Sequence, residues 1–359
     1  MLDLVRVGST GFGSGVRQLA TRLMRAVPPG VADVNAFRSA LHESLSQANE
    51  VPGLRYATGE LPADHDGTNT LVLVDPMPDG SGLILEPNVT TFLNEVVEEH
   101  LRAEDLTKAG VNPTRSILLS GPPGVGKTMA ARWLAQQIGS PLVTMDLSSV
   151  VSSYLGSSGR NIRSVLDYAK SGSCVLLLDE FDAIAKRRDD ESDIGELKRI
   201  VNVILTELDR WPSWNLLVAA TNHPQLLDKA VNRRFDRHIE LALPSECERR
   251  KIFTYLTEGL DDVDPEVLQL VATLMEGASG SDLVRHWNNA RRRAALRERS
   301  TTDELLQEIA WGARAKGPSR DKLWLMLSVQ LRMSSRQIAA RAGVTHPTVS
   351  SAIRRAQAT

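Results

Sequence analysis

The feature that most constrains this chain is the run Gly121-Pro122-Pro123-Gly124-Val125-Gly126-Lys127-Thr128, which fits G-x-x-x-x-G-K-[ST] at every fixed position. An apolar run typical of a buried strand precedes it, and Met129 to Ile138 is typical of a helix. Glycines let backbone N–H groups close around phosphate oxygens, and the helix N-terminus adds its positive dipole end. The pattern therefore predicts that Lys127 reaches nucleotide phosphates and that Thr128 ligates Mg²⁺. The alternative, a chance glycine-rich turn, would not need the Lys-Thr pair or these flanks.

Composition limits the class of protein. The 359 residues are 42% hydrophobic and 24% charged, which is typical of globular domains and leaves room for two or three of them. The net charge of −2 argues against a nucleic-acid or membrane coat over the whole chain. Cys174 and Cys247 form neither a metal spacing nor a disulfide framework. With no signal peptide and no membrane-length apolar run, we expect a cytoplasmic protein without a membrane partner.

Strand-like and helix-like segments alternate after the phosphate loop, which predicts a parallel α/β sheet. Val175–Asp179 is a buried strand followed by Glu180, and Leu216–Thr221 is another followed by Asn222. Ligands of such sheets bind at the carboxyl ends of the strands. We expect Asp179 to hold Mg²⁺, Glu180 to take a proton from the attacking water and Asn222 to position that water. A helix-capping acid pair and an Asn in a turn are the alternatives.

Two further signals suggest contacts made outside one subunit. Arg233 and Arg234 could reach the γ-phosphate held by a neighbouring subunit, although paired surface arginines are usually only solvated. Tyr154-Leu155-Gly156 lies in a Ser/Gly-rich loop that offers a large aromatic side chain little to pack on. The alternative is a tyrosine folded onto its own domain.

Together these motifs resemble the AAA clade of the AAA+ ATPases, from about residue 83 to residue 283. The similarity covers Walker A (Gly121–Thr128), Walker B (Val175–Glu180), sensor 1 (Ala219–Asn222), the arginine-finger run (Asn232–Asp236) and the lid run Gly277–Leu283. It implies ATP and Mg²⁺ as ligands, with Met129, Ser279 and Gly280 also at the nucleotide. It further implies a homo-oligomeric ring, usually a hexamer, in which Tyr154-Leu155-Gly156 forms a pore loop that pulls a protein substrate.

This sequence departs from the usual family pattern in its finger run, and it carries no zinc-protease motif. The finger run has adjacent arginines, as in severing enzymes such as spastin, so the dominant arginine stays open. His-Glu-x-x-His is absent from the 359 residues, so coupled proteolysis would need a partner chain. The sequence around Asp179, Asn222 and Arg234 is similar to the corresponding segments of small bacterial AAA ATPases. Some of these are encoded beside a subtilisin-like protease in plasmid-incompatibility or phage-defence modules, which adds that protease as a candidate partner.

The C-terminal tail, residues 320–359, changes character. It carries seven Lys or Arg against one acid, a net charge of +6 that leaves −8 for the remainder. Two helix patterns flank Gly343 with the spacing of a helix-turn-helix, which resembles the DNA-reading units of bacterial regulators. The exposed candidates for DNA contact are His346, Thr348, Ser350, Ser351, Arg354 and Arg355. The alternative is a helical cap that packs on the lid or on a partner.

The sequence thus predicts an α/β fold class: a P-loop AAA+ parallel-sheet domain with a helical lid, a helical N-terminal region and a small C-terminal helix-turn-helix. The expected domains are residues 1–70 (helical region and linker), 71–244 (nucleotide-binding), 245–315 (lid) and 320–359 (tail). We expect an ATP-hydrolysing ring that remodels, unfolds or threads protein. A DNA-bound ATPase switch is the alternative, although the Gly-Ala-Phe-Thr-Gly-Ala loop of enhancer-binding activators is absent. An adaptor that binds ATP without turnover is disfavoured by Glu180.

Overall fold

The computed structural model describes residues 61–63, 70–148, 158–186, 194–227, 229–260, 264–312, 317–329 and 331–358. The helical N-terminal region predicted within residues 1–70 lies almost entirely outside them. The chain divides into two compact units. The first runs to Leu83 and continues through residues 87–122 and 127–241, and the second comprises residues 84–86, 123–126 and 242–359.

The first unit contains a six-stranded sheet with helices between its strands. Its strands are β1 (Leu73–Asp75), β2 (Ser116–Ser120), β3 (Leu142–Asp146), β4 (Val175–Asp179), β5 (Leu216–Thr221) and β6 (Arg237–Glu240). Its helices are α1 (Pro87–Leu101), α2 (Ala103–Lys108), α3 (Lys127–Ile138), α4 (Ser158–Lys170), α5 (Ala183–Lys186), α6 (Ile194–Asp209) and α7 (Lys229–Asn232).

The strand order is β1-β3-β4-β5-β2-β6, and every neighbouring pair is parallel except the β1–β3 edge pair. This confirms the expected α/β fold with a mainly parallel sheet. The central strands are apolar over most of their length, which is typical of parallel strands covered on both faces. Leu118, Val143, Leu176 and Val218 are each at most 1% exposed.

The apolar pattern of the sequence predicts a strand at Leu83–Leu85 and one continuous helix from Val89 to Leu106, and both predictions are wrong. The apolar run Leu83–Leu85 forms no strand, because the turn at Gly82 (φ 76°) and the start of α1 at Pro87 leave only a short stretch between them. The single helix expected from Val89 to Leu106 is broken at Arg102, whose side chain bonds to both flanking segments. Strand β6 was missed because charged and polar residues interrupt its apolar pattern at the edge of the sheet.

The second unit is helical. Its helices are α8 (Glu246–Leu256), α9 (Pro265–Leu274), α10 (Gly280–Arg297), α11 (Thr301–Gly312), α12 (Gly317–Val329), α13 (Ser335–Ala342) and α14 (His346–Gln357). They share one apolar core, to which Phe253, Trp287, Leu306, Leu327 and Val349 contribute. The helices of the tail therefore pack around α12, which also contributes to the lid core.

A buried arginine ties the start of α8 to α9 within this unit. Arg249 is 5% exposed, and its guanidinium donates to the carbonyls of Pro244 and Ala272, both at 2.7 Å. The two backbone carbonyls thus accept the hydrogen bonds that this buried guanidinium must make. Among the described helices, none is both long and apolar enough to cross a membrane.

Candidate functional site

The phosphate loop leaves β2 in a conformation that glycine alone adopts readily. Gly121, Gly124 and Gly126 have φ values of 144°, 77° and 104°. A Cβ atom on Gly121 would lie 2.1 Å from the carbonyl oxygen of Leu241, which no side chain could tolerate. The glycines that the motif requires are therefore required by this backbone path as well.

Lys127, at the start of α3, turns its ammonium group back into the loop. Nζ donates to the carbonyls of Gly121 at 2.8 Å and Pro122 at 2.9 Å, and to Oδ1 of Asn222 at 2.7 Å. Burial lowers the pKa of the Lys127 ammonium below its ordinary value, while the charges of Asp179 and Asp182 act in the opposite direction. Lys127 thus links the loop to the end of β5.

Thr128 and Asp179 supply oxygen atoms at one point. The Thr128 hydroxyl donates to Oδ2 of Asp179 at 3.0 Å, which joins the first turn of α3 to the end of β4. Hydroxyl and carboxylate oxygens are the donors that Mg²⁺ prefers, and magnesium commonly takes one or two protein groups with phosphate and water. The pair therefore fits the Mg²⁺ role that the sequence predicted for it.

Glu180 occupies an unusual backbone position. Its φ is 51°, the left-handed region, and its side chain is exposed directly after β4. The next residue, Phe181, donates its N–H to the carbonyl of Ala220 at 2.8 Å and so ties the turn to β5. Strained non-glycine backbone of this kind concentrates at functional sites, and here it presents the carboxylate beside Asp179.

Another acid, Asp182, fixes the segment that follows β5 at the same edge of the sheet. Asp182 is 3% exposed, and its Oδ1 accepts from the hydroxyl of Thr221 at 3.0 Å and from the N–H of Asn222 at 3.1 Å. The Walker B turn is thereby bonded to the segment that carries Asn222. The sequence motifs assign no role to Asp182, although its position between the apolar residues Phe181 and Ile184, both buried, is a signal of a structural acid.

The finger run is anchored by its last two residues. Phe235 is buried edge-on against Phe181, with ring centroids 5.7 Å apart. Oδ2 of Asp236 accepts the backbone N–H groups of Arg115 at 2.8 Å and Ser116 at 3.1 Å, at the start of β2. Arg233 and Arg234 are both left exposed by this anchoring.

The two arginines differ in their surroundings. Arg234 forms an ion pair with Asp209 at the end of α6. The guanidinium of Arg233 has no ion pair or hydrogen bond within the described part of the chain. The sequence does not indicate which of the two arginines dominates. In the structure they differ, because Arg234 has a charged partner and Arg233 has none among the described residues.

A family model described as "ATPase family associated with various cellular activities (AAA)" matches residues 117–243. The chain carries an AAA ATPase domain. The matched residues include the phosphate loop, both acids after β4, Asn222 and the finger run, so the AAA domain contains the geometry described above.

Three curated relatives illustrate the similarity of the AAA domain. A proteasome-activating nucleotidase of Methanothermobacter thermautotrophicus is 37% identical over 253 residues, 65% of this chain and 61% of that protein. An uncharacterised AAA family ATPase of Sinorhizobium fredii is 38% identical over 163 residues, 45% of this chain and 49% of that protein. FtsH 3 of Sphaerobacter thermophilus, an ATP-dependent zinc metalloprotease, is 36% identical over 243 residues, 65% of this chain and 47% of that protein. The chain therefore spans about half to three fifths of the length of these relatives.

The remaining predicted site residues fall into three groups. Tyr154-Leu155-Gly156 lies outside the described residues. In the second unit, Ser279 caps α10 and lies beside Gly124: a Cβ on Gly124 would be 2.7 Å from Ser279 Oγ, and the N–H of Ser281 donates to the Gly124 carbonyl at 3.1 Å. The tail candidates for DNA contact all lie on α14, where each is at least partly exposed.

The Asp182 bonds lead to a prediction about the AAA domain. Asp182→Ala should lower ATP hydrolysis about tenfold or more, because Asn222 loses the acceptor that fixes its backbone. Nucleotide binding should change less, because the hydrogen bonds of Lys127 to the loop do not involve Asp182. Asp182→Asn keeps an acceptor oxygen and should retain more activity than the alanine variant. Steady-state hydrolysis rates and titration with a fluorescent nucleotide measure the two effects, and equal loss in both variants would contradict the hydrogen-bonding role.

Proposed function

We propose that this chain hydrolyses ATP at the site described above and uses the turnover, as a ring of several copies, to remodel or unfold protein. The observation that carries the proposal is the convergence of Lys127, Thr128, Asp179 and Asn222 at three adjacent strand ends, with Glu180 beside them. Two of the relatives, a nucleotidase and an ATP-dependent protease, support hydrolysis by the same kind of domain.

Each residue has a definite task in this proposal. The loop N–H groups and Lys127 bind phosphate oxygens, and Thr128 and Asp179 hold the metal. Magnesium supplies positive charge at the phosphate oxygens when it is bound. Glu180 accepts a proton from the attacking water, and Asn222 orients that water through its side-chain amide. Asp182 keeps Asn222 in place without touching a reactant.

The assembly and partners in this proposal follow from family resemblance. Rings of the AAA clade are usually hexamers with shared ATP sites, and the exposed Arg233 suits the role of a residue offered to a neighbouring copy. The relative named as proteasome-activating supports a protein substrate for this chain. A partner protease of the subtilisin type, in a bacterial defence or plasmid-maintenance system, is the narrower form of the proposal.

The role of Glu180 can be tested directly. Glu180→Gln should bind ATP with near-normal affinity but hydrolyse it at least about a hundredfold more slowly, because the proton acceptor is lost. Lys127→Ala should instead lose nucleotide binding. Phosphate release and nucleotide titration separate the two, with Glu276→Gln, an exposed acid in the second unit, as a control for lost charge. Full hydrolysis by the Glu180 variant would refute the assignment.

The two finger arginines form a matched pair for a test of shared sites. Arg233→Ala should lower hydrolysis at least about a hundredfold, since such arginines stabilise transition-state charge. Arg234→Ala should have a smaller effect because Arg234 pairs with Asp209 in its own subunit. Mixing Arg233→Ala with Lys127→Ala subunits should restore part of the hydrolysis, since each supplies what the other lacks. Undiminished hydrolysis by a monomer at high dilution would exclude shared sites.

The threading half of the proposal depends on Tyr154. Tyr154→Ala should leave basal hydrolysis within about twofold of the wild type, since the nucleotide residues are intact. It should abolish ATP-dependent unfolding of a fluorescent reporter that carries an unstructured tail. Ser153→Ala is the matched control in the same segment. Unfolding by the Tyr154 variant at the wild-type rate would remove the motor proposal and favour the DNA-bound switch.

A further inference from the structure

The last three helices form a small unit with the geometry of a helix-turn-helix. Helices α13 and α14 are joined by residues 343–345, and Gly343 adopts the left-handed conformation at φ 66°. The N–H of Val344 closes the end of α13 by donating to the carbonyl of Ala339 at 3.1 Å. A short turn that contains glycine between two packed helices is the signature of this motif.

Apolar packing fixes the two helices against α12. The buried residues on the three helices belong to one cluster: Leu323, Trp324, Leu327, Ile338, Ala339, Val349, Ala352 and Ile353. At the start of α13, Ser334 and Gln337 form a reciprocal capping box. The orientation of α14 relative to α13 is therefore set by the core, as is needed when one helix enters a groove and the other crosses the backbone beside it.

In this unit the negative charge is buried and most of the positive charges are exposed. Asp321 is the one acid among residues 320–359, and it is 7% exposed. Arg320 pairs with its Oδ1 at 3.2 Å and Arg355 with its Oδ2 at 2.8 Å. The exposed charges of the described residues 320–358 are consequently all positive: Lys322, Arg332, Arg336, Arg341, Arg354 and Arg355, the last exposed over 58% of its side chain although it pairs with Asp321. This surface attracts a polyanion although the whole chain carries a net charge of −2.

The outer side of α14 suits a nucleic acid better than a protein. Thr348, Ser351 and Arg354 are exposed there, and the small side chains permit close approach to a groove. Among the described residues of α12, α13, α14 and the segments that join them, the exposed large hydrophobic residues are two valines, Val329 at 65% and Val344 at 37%, and no aromatic residue. Protein interfaces usually depend on aromatic or large apolar anchors, which this surface lacks. The major groove of RNA duplexes is too narrow for a helix, which favours DNA.

We propose that α13 and α14 bind double-stranded DNA, with the start of α14 in the major groove and the exposed arginines against phosphates. His346, Thr348 and Ser351 then face base edges, while Arg336 and Arg354 contact the backbone. Arg355, unlike its neighbour Arg354, is not assigned a contact with DNA, because its guanidinium binds Asp321. The proposal goes beyond ATP hydrolysis and does not depend on it.

The experiment measures binding of the full chain to a fluorescent duplex of random sequence, about 30 base pairs long, by anisotropy at about 50 mM salt. Wild-type binding should weaken with salt with a log–log slope of about −3, from three or four neutralised phosphates. Arg354→Ala should bind at least about fivefold more weakly and reduce the slope by about 1. Arg291→Ala, which removes an exposed arginine from α10, should bind as the wild type does.

Arg355→Ala provides the structural comparison. It leaves Asp321 with one partner fewer, so it should lower the melting temperature of the second unit, whereas Arg354→Ala should not. Absence of duplex binding by the wild type would overturn the proposal. Equal weakening by Arg291→Ala and Arg354→Ala would also overturn it, as would binding to single-stranded DNA or to an RNA duplex that is as tight as to the DNA duplex.

Discussion

The position of β5 between β4 and β2 is the constraint on which the rest of the nucleotide site depends. Because the three strands are parallel and adjacent, their carboxyl ends reach the same edge of the sheet. Ser120 pairs with Thr221, so the phosphate loop and Asn222 begin side by side. A shift of one residue in the β2–β5 pairing would turn the side chains of one strand to the opposite face relative to the other, and Lys127 could then no longer reach Asn222.

Two buried carboxylates illustrate how differently an acid can be used. Asp182 accepts hydrogen bonds from a hydroxyl and a backbone N–H, and its negative charge acts on Lys127. Asp321 is instead neutralised by Arg320 and Arg355. In the first case the charge contributes to the electrostatics of the site. In the second it is hidden, so that the surrounding surface keeps only its positive charges.

The sequence predicted that Lys127, Asp179 and Asn222 lie at one edge of the sheet, because the motifs fix both residue type and position in the chain. The strands after the phosphate loop were also predicted, since uninterrupted apolar runs are typical of parallel strands covered on both faces. Strand β6 was not predicted, because its pairing with β2 makes it a strand and its own sequence shows no strand pattern. The pairs Asp182–Asn222 and Arg355–Asp321 join residues 40 and 34 positions apart, and such contacts cannot be read from local periodicity. The difference between Arg233 and Arg234 likewise depends on Asp209, a residue distant in the chain.

The left-handed backbone at Glu180 lowers the stability of the fold at the residue that is proposed to accept the proton. A side chain in this region costs on the order of 1 kcal/mol, which glycine would not incur. The fold would thus be more stable with glycine, which has no proton acceptor to offer. Under the role proposed for Glu180, the turn after β4 is therefore a position where selection for thermostability alone would drive the protein toward a well-folded but inactive form.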